Sequence, residues 1–447
     1  MKHLLLVFAL AGPLMAGSTN WPAFRGASAV GVADGPAPTT WNVESSTNVK
    51  WKIAIPGVGH SSPVVWGDRI FVTTAVPDGA IDYPATLTDD MKPADDSRSY
   101  AWQVICVDAS RGTIVWQRVL HTGMPRSKRH SLNSFATPTP VTDGKHLIVY
   151  FGSEGLYCLD LDGHVQWRRD LGLLKTGFYQ DVSYQWGVAS SPVLYRNLVI
   201  VQADTDEHAF LAAYDVETSE QAWSTPRKDG QSWSTPTIYE GAPHDTVVAN
   251  APKSVRGYDP ATGRERWTFR WDLDIVLSTP TVANGLVYTA SGKGNTQPIV
   301  AIRPTASGDI TPSEPETRNQ SIVWSSQRGG AIITSPLVYG EWLYTLIDLG
   351  ILKCFSASTG AVQYQQRIPD GFFSSPVAAD GKIFLVSQTG NVYVVKAGPT
   401  YELIAVNDMR EPCIATPAIS NGTMFIRTLH HLYAIDDRIG ATAGLNR

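Results

Sequence analysis

Apolar and polar residues alternate in short runs along most of the chain, which is the pattern of half-buried β-strands. Residues 69–72 (Arg-Ile-Phe-Val) and 391–395 (Asn-Val-Tyr-Val-Val) are clear examples. Polar pairs that end in glycine, such as Asn284-Gly285 and Asn421-Gly422, lie between the runs and are typical of hairpin turns. The pattern therefore predicts an all-β protein built of short antiparallel strands.

One unit of this pattern recurs through most of the chain and is clearest at residues 258–290. It contains an Asp, a polar turn that ends at Gly263, a strand with Trp267, a loop, and Thr279-Pro280 before an apolar strand. Alignment on the proline gives eight copies, at Ser62-Pro63, Thr137-Pro138, Ser191-Pro192, Thr235-Pro236, Thr279-Pro280, Ser335-Pro336, Ser375-Pro376 and Thr416-Pro417. The basic period is about 40 residues, which suits four strands per blade, so we predict an eight-bladed β-propeller.

The two ends of the chain complement each other in this repeat. Residues 48–53 match the outer, Trp-bearing strand although no blade precedes them, and the last copy lacks that strand. We predict that the N-terminal strand completes the eighth blade and closes the ring, which leaves no open seam. The predicted division is a signal peptide at residues 1–16, a strap at 17–46, the propeller at 47–437 and a tail at 438–447.

The first residues predict an exported protein. Lys2 precedes the apolar run at residues 4–11, and a cleavage site fits after Ala16. The run is too short to span a bilayer. No cysteine precedes Cys106, so the N-terminus offers no thiol for lipid attachment. We expect a periplasmic or secreted protein without a transmembrane segment once the signal peptide is removed.

Composition narrows the possible partners. Hydrophobic residues make up 43% of the chain and charged residues 17%, which is the balance of a folded protein. The formal charge is -5 and no long basic run is present, so we expect no nucleic-acid partner. A monomer is expected. Repeat positions that hold three of the four cysteines hold Ala or Gly in other copies, which indicates small buried slots and free thiols.

Several residues that resemble chemical motifs are explained by the repeat. Asp160-Leu161-Asp162-Gly163 lacks the distant Glu of a calcium loop and reads as a tight turn. His430-His431 has no carboxylate or thiol at metal-ligand spacing. We therefore predict no catalytic residue and no metal site. The recurrent tryptophans are expected to pack between blades, and they are Trp51, Trp116, Trp167, Trp223, Trp267 and Trp324.

Two inserted crossings between blades carry cationic and aromatic residues that the repeat does not require. The residues that we predict to bind a partner or ligand are Arg126, Lys128, Arg129, His130, Phe178, Tyr179, Tyr184 and Trp186, with His60, Trp233 and Phe373 around the funnel mouth. On the face with the long loops they suit a protein or a small anionic ligand. The alternative is an ordinary solvated rim with aromatic residues folded beneath it. Residues 304–319 are expected to form a flexible loop on the opposite face.

The spacing from Asp to Trp identifies a family resemblance. Residues 107–116, 214–223 and 258–267 share this spacing, and two of them place a Gly four residues before the Trp. The motif resembles the tryptophan-docking repeat of the PQQ-like, or quinoprotein-type, β-propellers over about residues 47–437. The opening residues 21–26 also resemble the start of many exported proteins with this repeat.

The resemblance implies one of two functions. Quinoprotein dehydrogenases of the family would carry PQQ and Ca²⁺ in the funnel, with an Asp base and adjacent half-cystines that stack on the quinone. This chain has no Cys-Cys pair. It more closely resembles the non-enzymatic propeller of the outer-membrane β-barrel assembly machine. We therefore expect a binding or scaffolding module without a cofactor, and the alternative is a PQQ-dependent oxidoreductase with PQQ and calcium.

Overall fold

The computed structural model describes residues 20–80, 93–94, 96–178, 181–313 and 316–438. The predicted signal peptide lies outside these residues. No helix in the described ranges is long and apolar enough to cross a membrane.

The alternating runs form eight sheets of four antiparallel strands, one of which has a short fifth strand, and this confirms the predicted all-β propeller with eight blades. The N-terminal strand is β1 (Val49–Ala54). Blade one contains β2 (Val64–Trp66), β3 (Arg69–Pro77), β4 (Tyr100–Asp108) and β5 (Ile114–Gly123). Blade two contains β6 (Val141–Thr142), β7 (His146–Tyr150), β8 (Leu156–Asp160) and β9 (Val165–Arg169), and a hairpin of β10 (Gly177–Phe178) and β11 (Asp181–Gln185) follows it. Blade three contains β12 (Val193–Tyr195), β13 (Leu198–Ala203), β14 (Phe210–Asp215) and β15 (Gln221–Pro226). Blade four contains β16 (Thr237–Tyr239), β17 (Thr246–Asn250), β18 (Ser254–Tyr258) and β19 (Glu265–Arg270).

The remaining blades continue in chain order. Blade five contains β20 (Thr281–Ala283), β21 (Leu286–Ala290), β22 (Ile299–Ile302) and β24 (Ile322–Ser326), with β23 (Gly308–Asp309) between the last two. Blade six contains β25 (Leu337–Tyr339), β26 (Trp342–Ile347), β27 (Ile351–Ser356) and β28 (Val362–Arg367). Blade seven contains β29 (Val377–Ala379), β30 (Lys382–Val386), β31 (Asn391–Lys396) and β32 (Leu403–Asp408). Blade eight contains β33 (Ala418–Ser420), β34 (Thr423–Arg427) and β35 (His431–Ile435). Two short 3₁₀ turns lie at Ala27–Ala29 and Gly152–Glu154.

Burial follows the position of a strand within its blade. Every residue of β13 is buried, because neighbouring blades cover both faces of a middle strand. The outer strand β15 instead buries Trp223 and exposes both residues before it. Continuous apolar runs therefore mark the middle strands, and alternation marks the rim.

The N-terminal strand closes the ring as predicted. β1 pairs antiparallel with β35, so that Trp51 lies opposite Ala434 and Ala54 opposite His431. The eighth blade is thus assembled from both ends of the chain. This pairing satisfies the backbone groups of β35 that would otherwise form an open edge.

A belt of hydroxyl groups joins the inner strands of successive blades. The backbone N–H of the residue before each inner proline donates to the hydroxyl of its counterpart in the next blade. Seven of these bonds, 2.9–3.2 Å long, run among the described residues from Ser62 through Thr139, Ser191, Thr235, Thr279, Ser335 and Ser375 to Thr416. Each blade is therefore held by its neighbour near the axis.

The belt corrects our alignment of the second copy. Thr139-Pro140, and not Thr137-Pro138, takes the belt position, and β6 begins directly after Pro140. Thr137 instead contacts the Ser134 hydroxyl at 2.9 Å within the preceding crossing. The sequence Thr-Pro-Thr-Pro offers the same motif in two registers, and only the bonds to the neighbouring blades distinguish them.

The recurrent tryptophans join neighbouring blades at the rim. Their indole N–H groups donate to carbonyl oxygens of the next blade, in the pairs Trp51–Ala109, Trp116–Leu161, Trp167–Val216, Trp223–Pro260 and Trp324–Ala357, at 2.7–3.0 Å. A glycine of the next blade lies under four of the rings, where a Cβ would overlap the indole, and these are Gly112, Gly163, Gly263 and Gly360. The structure thus gives these tryptophans a packing role.

Trp267 departs from this arrangement because blade five has an insertion at its docking turn. Part of the insertion, β23, pairs in parallel with β19 as a fifth strand of blade four. Trp267 is 2% exposed and packs over Gly257 of its own blade. Our expectation of a flexible loop at residues 304–319 is therefore wrong for Gly308 and Asp309, because their backbone groups find partners on an open edge.

Residues 20–41 run over the face that carries the turns between the first and second strands of the blades. The Gly67 N–H donates to Asn20 Oδ1 at 2.8 Å in blade one, and Lys382 Nζ donates to the Ala37 carbonyl at 2.7 Å in blade seven. The opposite face remains available to the long loops.

The four cysteines are buried and free, as expected. Burial raises the pKa of the Cys106, Cys158 and Cys354 thiols to about 12. They therefore stay protonated and behave as small apolar side chains.

We expect Gly263→Ala to destabilise the ring more than Gly285→Ala. Both glycines have positive φ, +69° and +71°, so both substitutions carry a left-handed strain of roughly 1–2 kcal/mol. Only the Cβ at 263 would overlap Trp223, which adds about 1–3 kcal/mol of overpacking. Melting temperatures of the two variants test the docking, and equal losses would show that the Gly–Trp contact is not tight.

Candidate partner-binding surface

The longest insertions extend from the face opposite residues 20–41. We call this the long-loop face, and in the described chain it comprises residues 124–135, 171–178, 181–187 and 226–236. The hairpin of β10 and β11 stands on it, and the Trp186 N–H donates to the Thr176 carbonyl at 2.7 Å to close the base. Tyr179, one of the predicted binding residues, lies outside the described residues.

Four of the predicted residues form one aromatic cluster, which consists of His130, Phe178, Trp186 and Trp233. Ring centroids of Trp186 lie 5.5 Å from His130, 5.7 Å from Phe178 and 5.4 Å from Trp233. Trp233 Nε1 donates to the Gly187 carbonyl at 2.6 Å. The two tryptophans are buried and Phe178 is half-buried. The structure therefore brings together residues from three separate crossings between blades.

Arg129 faces inward. Its Nε lies 2.7 Å from Asp96 Oδ2, and both side chains are about one-tenth exposed, at 10% and 9%. Its Nη1 also donates to the carbonyls of His130, Ser131 and Asn133 at 2.6–3.3 Å. The guanidinium thus ties the crossing into blade two to the loop between β3 and β4.

Three other cations of the long-loop face, Lys128, Lys175 and Arg126, are accessible. Lys128 and Lys175 are exposed. Arg126 is 36% exposed and pairs with Asp170 at 2.9 Å. Tyr184 is half-buried on β11. The crossings that hold the aromatic cluster therefore also carry accessible positive charge.

His60 and Phe373 lie at other crossings. Phe373 is half-buried before blade seven, and no ring contact or hydrogen bond of the described chain joins it to the aromatic cluster. His60 is 8% exposed before blade one. Burial, together with the charges of Arg427 and Arg129, lowers the pKa of His60 to about 3. The imidazole is consequently neutral at physiological pH.

A buried polar network lies under the same face, and the sequence analysis missed it. Arg227 Nε donates to Asp204 Oδ1 at 2.6 Å, and its Nη1 donates to the Tyr258 hydroxyl at 2.6 Å. Ser232 Oγ and Gln202 Nε2 donate to Asp204 Oδ2 at 2.7 and 2.6 Å. Burial by itself would lower the pKa of Arg227, but the Asp204 carboxylate and the Tyr258 oxygen raise it above its ordinary value.

The signal for this network is weak in the sequence. Asp204 follows the buried strand β13, and Arg227 follows the outer strand β15 of the same blade. Opposite charges directly after two strands of one blade were the only feature of the sequence that could have indicated this ion pair. The arrangement binds blades three and four together beneath Trp233.

The family of the chain follows from comparison with known proteins. A protein-family model described as outer membrane protein assembly factor BamB matches residues 101–322 and 316–407, which is more than half of the chain. The chain belongs to this family. The finding confirms the predicted membership of the PQQ-like propellers. A search of the curated proteins found no match.

Two solved structures illustrate the shared BamB-like fold. The crystal structure of BamB from Moraxella catarrhalis has 14% sequence identity and a TM-score of 0.57, over 87% of this chain and 97% of that one. The quinohemoprotein alcohol dehydrogenase from Comamonas testosteroni has 12% identity and a TM-score of 0.63, over 93% of this chain and 80% of that one. At these identities the likeness concerns the fold alone.

We expect His60→Gln to weaken the acid sensitivity of the fold. The unfolded histidine takes up a proton below about pH 6.5, whereas the folded one does so only near pH 3. The unfolded state thus binds more protons in this window, and stability falls as the pH falls. Between pH 7 and 4.5, the parent protein should lose roughly 2–3 kcal/mol more unfolding free energy than the variant.

Urea unfolding at the two pH values measures this difference. His208→Gln serves as the control because its side chain is exposed, and it should retain the pH dependence of the parent protein. An unchanged pH dependence in His60→Gln would show that His60 is solvated or paired in the folded protein.

Proposed function

We propose that this chain is an exported binding or scaffolding protein of the cell envelope, and that it recognises a protein partner with the long-loop face. The main observation in support of this proposal is the aromatic cluster around Trp186. The crossings that hold the cluster, or adjoin it, also carry the exposed Lys128, Lys175 and Arg126. Aromatic and cationic side chains in partly dry surroundings contribute most of the energy of many interfaces. Membership of the BamB family supports a protein partner over a small anionic ligand.

The loops that hold the aromatic cluster are braced by hydrogen bonds, so they should lose little conformational entropy when a partner binds. The Lys128 N–H lies 3.5 Å from Gln185 Oε1, and the His130 N–H donates to the Trp186 carbonyl at 3.1 Å, so the two crossings brace each other. Asn133 Nδ2 donates to the same carbonyl at 2.9 Å. A surface that is already ordered loses little conformational freedom on binding. The ring below it serves as a rigid base.

A PQQ-dependent oxidoreductase is the alternative, because the quinohemoprotein dehydrogenase shares the fold. Trp186 and Trp233 leave no room for the quinone between their rings. The centroids of Trp186 and Trp233 are 5.4 Å apart, whereas a planar ring between two aromatic faces needs about 7 Å. Cys106, Cys158 and Cys354 are buried in separate blades. In the part of the chain that the structure describes, no group of three His, Cys, Asp or Glu residues is placed to hold a metal ion.

Site-specific photo-cross-linking in intact cells tests the proposed surface. A benzophenone amino acid at position 128 or 184 should give a discrete protein adduct, which mass spectrometry identifies. The same probe at Arg264, an exposed residue on the opposite face, should not give it. We further expect Lys128→Glu with Lys175→Glu to lower the adduct yield from position 184 roughly tenfold, because reversed charges oppose docking.

A charge-matched variant controls for the change in net charge. Arg111→Glu with Arg264→Glu changes the net charge by the same amount on the opposite face and should leave the adduct yield unchanged. Melting temperatures of both double variants should match that of the parent protein, since all four side chains are exposed. Equal losses of the adduct in both variants would contradict the assignment of the surface.

Titration with PQQ and calcium separates the two functions. We expect no stoichiometric binding in calorimetry and no dye-linked oxidation of alcohols, because the aromatic pair leaves no slot for a planar ring. Binding at micromolar concentration together with calcium-dependent oxidation would establish the enzymatic function instead.

A further inference from the structure

Arg427 joins the two ends of the ring. It is the last residue of β34 in blade eight, and its side chain crosses the seam to blade one. Its Nη1 donates to Ser61 Oγ at 2.6 Å and to the carbonyls of Ser61 and Thr73 at 3.2 and 2.7 Å. The residue is 2% exposed. A cation therefore lies buried at the point where the ring closes.

The charge of Arg427 has no anionic partner in the described chain. Its Nε has no hydrogen-bond partner there, and the three acceptors of Nη1 are neutral oxygens. Burial lowers the pKa of Arg427 to about 9. Burial also raises the pKa of Cys413 to about 12, so Cys413 contacts the arginine as a neutral thiol. A buried cation without a counter-charge is unfavourable.

The carboxylate of Glu411, which acts on the neighbouring Cys413, already has other partners. Glu411 Oε2 accepts from the Thr428 hydroxyl at 2.7 Å and lies 2.8 Å from His431 Nδ1. Glu411 Oε1 accepts from the His430 N–H at 2.6 Å. This carboxylate therefore organises the loop after β34 and does not pair with Arg427.

A small cavity lies against the arginine. Its volume is ≈ 10 Å³, and its lining includes Gly59, His60, Ala415, Arg427 and Leu429. A Cβ at position 59 would overlap Arg427 Nη2, so glycine keeps the approach to the guanidinium open. The space accommodates about one water-sized or halide-sized atom. The lining is otherwise largely apolar.

We propose that this cavity binds a single halide-sized anion, such as chloride, against the guanidinium of Arg427. The buried positive charge repels cations, and a space for about one small atom favours a monatomic anion over phosphate. A water molecule would fill the space without balancing the charge. The bound anion strengthens the seam between blades eight and one. This site is independent of the proposed function, since it lies at the seam and uses no residue of the aromatic cluster.

Two measurements on the full chain test the site. Crystals soaked in bromide should show an anomalous peak in the cavity next to Arg427. The melting temperature should rise saturably, by about 1 °C or more, as chloride replaces gluconate at constant ionic strength, because an anion that binds only the folded state stabilises it.

Variants tie the effect to the cavity. Arg427→Met removes the charge, and Ala415→Val enlarges a side chain of the lining without changing Arg427 or its acceptors in blade one. Both should lose the response to chloride. If Arg427→Met does not fold, Ala415→Val and the bromide peak decide the matter. Water in place of bromide in the cavity, or an equal chloride response in Ala415→Val and the parent protein, overturns the proposal.

Discussion

The structure depends on the belt of hydrogen bonds that joins each inner strand to the next. A four-stranded blade has two apolar faces and cannot bury them alone. The hydroxyls of Thr139, Ser191 and their counterparts accept the N–H groups that inner strands present near the axis. At the rim, the indoles of five of the six recurrent tryptophans donate to a carbonyl of the next blade. Every blade is consequently stable only as part of the closed ring.

Closure of the ring requires additional bonds at the seam, where the two ends of the chain meet. β1 completes blade eight with backbone pairing, and Arg427 adds side-chain bonds from blade eight to blade one. Residues 20–41 cover one end of the axis, where the fully buried Arg25 donates to the Pro336 carbonyl at 2.8 Å. Two buried arginines thus add side-chain bonds to those that the repeat itself provides.

This arrangement explains why residues that the repeat does not require concentrate on one face. The belt of hydrogen bonds involves the residues before the inner prolines, and the rim contacts involve the docking turns. The N-terminal segment covers the face on which residues 20–41 lie. The crossings between blades remain free to lengthen, because a longer surface loop adds little entropic cost to a ring that is already closed. The aromatic cluster and the Arg227–Asp204 network are additions of this kind, and Ser232 of the network directly precedes Trp233 of the cluster.

The sequence by itself determined the blades, their number and the closing strand. Alternation and turn residues are local features, and they recur in each copy of the repeat. It also indicated which crossings carry residues that the repeat does not require. Only the tertiary structure decided between Thr137 and Thr139, since both registers satisfy the motif and the choice rests on bonds to other blades. It likewise turned Arg129 inward and left Lys128 exposed, because the partner of Arg129 is Asp96, on a different loop of the preceding blade. Burial and pairing are set by distant segments, and no local pattern records them.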